Sequence, residues 1–128
     1  MGGATALLMS TNVAAEIVAR CFAARTSAHF AHLSTKSYAA HMALGDFYDD
    51  VAEKADAFCE CWQSWYGLMG EFPSVPLLKG ETQPIAALRE FVASNRTQAS
   101  QGKTELGNLL DEILSICDRA LYKLKNLS

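Results

Sequence analysis

Apolar residues recur along most of the chain at the three- and four-residue spacing of amphipathic helices. Residues 12–33 place Val13, Ile17, Cys21, Ala24 and Ala28 on one side. Ser34 or Thr35 can then cap a new helix. From about residue 37 to 66 a longer helix carries two apolar stripes. One holds Tyr38, Met42, Gly45, Tyr48, Ala52, Ala55, Cys59 and Trp62, and the other holds Phe47, Val51, Phe58 and Trp65. A helix apolar on two sides needs neighbours on two sides, and in so short a chain the second neighbour is expected to be another subunit. Pro84, just behind Thr82, opens a third helix over about 84–99, with Ile85, Leu88, Phe91 and Val92 inward. Thr104 is the expected cap of a fourth, over about 104–126. It buries Leu106, Leu109, Leu110, Ile113, Leu114, Cys117, Leu121 and Leu124. Lys123 and Lys125 near its end suit the negative end of the helix dipole.

All three prolines, Pro73, Pro76 and Pro84, lie within "GLMGEFPSVPLLKGETQP", the one pronounced break. This link is long enough to carry the chain along a bundle. The pattern therefore predicts a single all-α domain over residues 1–128. Its expected form is a ferritin-like four-helix bundle with one long crossover between the second and third helices. An up-down-up-down bundle with a loose loop is the competing topology.

Composition narrows the partners. The chain has 128 residues, half of them hydrophobic, and a formal net charge of -3. Its eleven basic residues are scattered, which argues against a nucleic-acid surface. No apolar run reads as a membrane span. "MGGATALLMS" lacks the basic start of a signal peptide, and Ala6 stands where a myristoylation site needs Ser or Thr. Cys21, Cys59, Cys61 and Cys117 form no CxxC pair and are expected to be buried, reduced thiols of a cytoplasmic protein.

The candidate chemistry lies between residues 29 and 60. A turn near residue 35 predicts His29 level with His41 on adjacent helices, while His32, nearer the tip, orients the turn. Asp56 and Glu60 are one helical turn apart and can chelate together. His41 and Asp56, however, are separated by about 22 Å of helix, so one ion cannot bind both within one chain. Antiparallel packing of the second helix on its mate, around a two-fold axis, would bring His41 of one copy to Asp56 of the other. The mixed nitrogen and oxygen set His29, His41, Asp56 and Glu60 suits iron, zinc or manganese. The plainer alternative makes these residues a solvated helix face with Lys54 balancing charge. A carboxylate site from Glu16, Glu53, Asp56, Glu90 and Glu112 is weaker, because no Glu-x-x-His accompanies it. Trp62, Trp65 and Tyr66 read as packing.

The spacing His29, His41, Asp56-x-x-x-Glu60 resembles that of the Dps group, the ferritin-like "DNA-binding proteins from starved cells". "HLSTKSYAAHMALGDFYDDVAEKADAFCECWQSWYG" is also similar to small phage-encoded Dps-like ferritins. The resemblance covers roughly residues 12 to 66. It implies a ferroxidase site at a dimer interface, with histidines from one subunit and the Asp/Glu pair from the other. It also implies iron oxidised by dioxygen or peroxide, and a cytoplasmic place, that of a bacterial host for a phage-encoded chain. The chain departs from the group at Gly45, where an acid is usual, at Phe30, where Trp is usual, and in having no Lys-rich tail. DNA binding is therefore not expected. Two further readings remain open: a non-enzymatic oligomeric scaffold, and a small-molecule pocket at the second helix's interface.

Overall fold

The structure is a computed structural model that describes residues 3–127. The readings that rest on Met1 and Gly2 lie outside the described residues. Four helices make up the fold: α1 (Gly3–Ser34), α2 (Tyr38–Tyr66), α3 (Gln83–Ser100) and α4 (Thr104–Asn126). No strand occurs among the described residues.

Helix ends follow local chemistry, with corrections to the expected bounds. α1 starts at Gly3 rather than near residue 12, because "ATALLMSTN" contains no breaker after Gly3. The cap of α2 is Ser37, not Ser34 or Thr35; its hydroxyl accepts from the Ala40 N–H at 3.1 Å. Thr35 instead accepts from the Ser37 N–H within the turn. Thr82 is the N-cap position of α3 but makes no side-chain cap bond; Pro84 in the first turn needs none. Lys103, not Thr104, is the N-cap of α4. α3 ends where Gln101 and Gly102 take positive φ, 51° and 74°.

Contacts between helix ends fix the topology. The Trp62 indole N–H, near the end of α2, donates to the Ala99 carbonyl, near the end of α3, at 3.2 Å. α2 and α3 therefore point the same way. α4 runs against both. Arg89–Asp118 and Arg96–Asp111 pair it with α3, and Lys54–Glu112 and Asp46–Lys123 pair it with α2. α1 packs on α2 and α3, and α4 packs on the same two helices. Parallel α2 and α3 at opposite corners require residues 67–82 to return along the bundle. The link lies on α1, where the Leu78 N–H donates to the Ser27 hydroxyl at 3.1 Å. Its first turn is tethered by Met69, which is buried and donates its N–H to Gln63.

The core draws on every helix. Ile17, Val18 and Cys21 meet Leu44, Phe47, Val51, Phe58 and Trp62, with Ile85, Leu88 and Val92 and with Leu106, Leu110, Ile113 and Cys117. Phe47, Val51 and Phe58, one of the two α2 stripes, are thus intramolecular core. The other stripe is left partly open: Tyr38 is 76% exposed and Met42 47%, while Tyr48, Ala52 and Cys59 are half-buried. One expectation is corrected: Leu7–Ser34 is long and apolar enough to cross a membrane by length and composition. Its alanines raise the average, and the same residues supply the α1 share of the core.

The thiols divide in two. Cys21 and Cys117 are buried, and burial pushes both up, Cys117 to about 12. Cys59 and Cys61 are only half-buried, which corrects the expectation of four buried thiols. Burial, then neighbouring Asp56 and Glu60, raises Cys59; burial, then Glu105, raises Cys61. Alkylation of the native protein at pH 8 is expected to modify Cys59 and Cys61 slowly and to spare Cys21 and Cys117 until the chain unfolds; peptide mass mapping checks this. Trp62→Phe opens a cavity and orphans the Ala99 carbonyl. It is expected to cost about 2–3 kcal/mol in urea unfolding, against under about 1 kcal/mol for Trp65→Phe, whose ring is half exposed under Lys103.

Candidate metal centre

The α1–α2 turn sets which histidines meet. With α2 capped by Ser37, the turn is centred beyond residue 35, and the partner of His41 moves from His29 to His32. The His32 and His41 rings stack at 3.6 Å, 18° from parallel. Each ring also reaches across to the other residue's backbone. His32 Nδ1 donates to the His41 carbonyl at 2.6 Å, and His41 Nδ1 donates to the His32 carbonyl at 2.9 Å. A carbonyl can only accept, so both Nδ1 atoms carry hydrogen and each neutral ring keeps its lone pair on Nε2. The expectation that His29 sits level with His41 is thereby corrected, while His32 does orient the tip, through this reciprocal clasp.

His29 lies one turn back on α1. Its ring stacks on Tyr48 at 4.2 Å and meets His32 edge-on at 5.9 Å. His32 in turn meets Tyr48 edge-on at 5.3 Å. His29 has no ring contact with His41 and no hydrogen bond to any described residue. Gly45 opens the space that His32 occupies. A Cβ there would stand 3.2 Å from His32 Cε1 and 3.4 Å from Nδ1.

The acids lie far along the same helix. Asp56 and Glu60 are both exposed, one turn apart, and neither makes a hydrogen bond or ion pair with a described residue. Asp49, Asp50 and Glu53 on α2 share that state, whereas Glu16 is held by Arg20 at 2.7 Å and Glu112 by Lys54 at 3.3 Å. Those pairings speak against the intrachain carboxylate cluster. No three His, Cys, Asp or Glu side chains converge on a metal position among the described residues. Within one chain, then, the histidines come together and the Asp56/Glu60 pair stays apart from them.

A family model matches residues 32–124. The chain belongs to DUF5856, a family of unknown function. The span shared with DUF5856 takes in His32, His41, Gly45, Asp56 and Glu60, and His29 lies just before it. No curated protein and no solved structure matches the chain.

Sequence reasoning missed two features of this DUF5856 site. One is His32 as the ring joining His29 to His41. The other is Tyr48, taken only as a stripe residue. The sequence signal for both was their spacing from Ser37, once that residue is chosen as the cap. A cavity of about 550 Å³ opens at another place in the chain. It lies between α1 and the link, lined by Ser27, Phe30, Ala31, Leu77, Leu78 and Lys79, and α2 takes no part in it.

Alanine in a helix interior ordinarily gains about 1 kcal/mol over glycine. Gly45→Ala is expected to gain less than about 0.5 kcal/mol, because its methyl meets a pinned ring, and to recover the full gain of about 1 kcal/mol in a His32→Ala background. Urea-unfolding curves of the four proteins check this. Equal gains in both backgrounds would show that the ring does not claim the space.

Proposed function

We propose that this DUF5856 protein is a Dps-like, ferritin-type homo-oligomer that binds iron or another divalent metal between subunits. The carrying observation is the state of Asp56 and Glu60: two exposed carboxylates, one turn apart, with no cation or donor of their own among the described residues. Support also comes from the open stripe of Tyr38 and Met42 on α2, which a second copy would cover. On α2, Ala52 is a small, half-buried residue about one turn from the midpoint between His41 and Asp56. A two-fold axis at that midpoint would let two α2 helices approach closely and bring His41 of each to Asp56 of the other. The parallel α2 and α3 joined by one long link agree with the ferritin-like pattern.

His29, His41, Asp56 and Glu60 together fit one metal only when two copies contribute. His29 and His41 would supply nitrogen, His41 through the Nε2 left free by its Nδ1 bond. Asp56 and Glu60 of the second copy would supply oxygen and neutralise charge. Iron held there would supply one-electron chemistry toward dioxygen or peroxide. The protein's part is to orient His41 so that its Nε2 faces away from the backbone, hold two carboxylates at one height, and close α2 against α2 so that bulk water is excluded.

The alternative is a helical scaffold whose oligomer needs no metal. One observation favours it: among the described residues no three donors converge within a chain. Native mass spectrometry is expected to show an even-numbered homo-oligomer. Anaerobic Fe(II) followed by air is expected to raise ferric absorbance in the ultraviolet. His41→Ala and Glu60→Ala should each lower that signal at least about tenfold. Mixing the two variants should restore part of it, because a mixed dimer keeps one intact site. A monomer, or a full signal in both variants, would overturn the reading; an oligomer that binds no iron would support the scaffold.

A further inference from the structure

Two imidazoles that share a metal must aim their free nitrogens at one point. With metal–nitrogen bonds of about 2.1 Å and ring centres about 1.1 Å behind the nitrogens, two rings on a tetrahedral ion have centres about 5.2 Å apart. His32 and His41 stand at 3.6 Å. Sharing an ion from there would force a donor–metal–donor angle near about 70°, far from tetrahedral. His29 and His32 stand at 5.9 Å, with planes 66° apart. They are three residues apart on α1 and so share a helix face. Closing to the tetrahedral separation takes less than about 1 Å, within reach of a small turn of the His29 side chain.

His32 is held the way a ligand is held. Its Nδ1 donates to a backbone carbonyl, which fixes the tautomer and leaves Nε2 free. The His41 ring backs it on one side, and Gly45 clears room for it on another. His29, resting on Tyr48, has both ring nitrogens uncommitted to described residues. Both histidines are half-buried, so water can complete the ligand set.

We propose that His29 and His32 of α1 form a site for a divalent transition metal of the zinc, cobalt, nickel or copper class, complete within one chain and finished by water. Imidazole donors suit these ions rather than magnesium or calcium. The site shares His29 with the inter-subunit reading but takes nothing from a second copy, so either can hold without the other. His41 is a positioning residue here: its carbonyl holds Nδ1 of His32, and its ring prevents His32 from swinging away.

The test is Co(II) titration of the full chain at pH 7.5, followed by visible absorption with Zn(II) competition. Imidazole nitrogen shifts in NMR locate the ion. One Co(II) per chain is expected, with the His29 and His32 resonances perturbed. His29→Ala and His32→Ala should each weaken binding at least about tenfold, and Asp49→Asn should leave it within about twofold. Gly45→Ala keeps every ligand and the helix, yet should weaken binding several-fold by displacing the His32 ring. That guards against a His32→Ala variant whose hairpin has simply loosened. No Co(II) or Zn(II) binding at millimolar metal would overturn the proposal. So would wild-type affinity in His32→Ala. Binding lost in Asp56→Asn but kept in His32→Ala would overturn it in favour of the inter-subunit site.

Discussion

The register of α1 on α2 is the constraint on which the site depends. Three residues join the helices, and Ser37 fixes where the second begins by capping its first turn. From that point the rise per residue decides every facing pair. His41 falls opposite His32, and each donates to the other's carbonyl. The His32 carbonyl, in the last turn of α1, has no helical donor and receives one from His41. The His41 carbonyl, in the first turn of α2, takes the His32 ring as a second donor beside its helical one. The clasp therefore serves the backbone of the turn and the orientation of both rings at once.

A second constraint sets the shape of the rest. Trp62 ties the end of α2 to the end of α3, so these helices are parallel and the chain must travel back between them. The link does so on the surface of α1, through Leu78 and Ser27. That path leaves Leu77, Leu78 and Phe30 partly exposed around one groove. It leaves the outer face of α2 bare as well, because α1 and α4 cover only its inner sides. The open α2 face and the unpaired Asp56 and Glu60 thus follow from the same topology.

Much of the fold was legible from periodicity. Four helices, the inward residues of α3 and the core positions Ile17, Cys21, Ala24 and Ala28 stand where their spacing put them. The two α2 stripes were visible too, but not which one turns inward. Both are apolar, and only the positions of α1 and α4 decide that Phe47, Val51 and Phe58 are core. The site was legible as a set of residue types and not as a geometry. Three candidate hydroxyls, Ser34, Thr35 and Ser37, could each cap α2, and moving between them replaces one histidine partner with another.

By itself the sequence determined the helical class, the single break at residues 67–82, and the donors available along α1 and α2. These are local properties, set by side-chain periodicity, prolines and residue chemistry. The tertiary structure alone decided which donors meet. His32 joins His41, His29 rests on Tyr48, and Asp56 and Glu60 stay apart from all three histidines. The reason is that facing pairs depend on the joint register of two helices. A shift of one or two residues in a turn, nearly invisible in the sequence, moves each partner by almost a full helical turn.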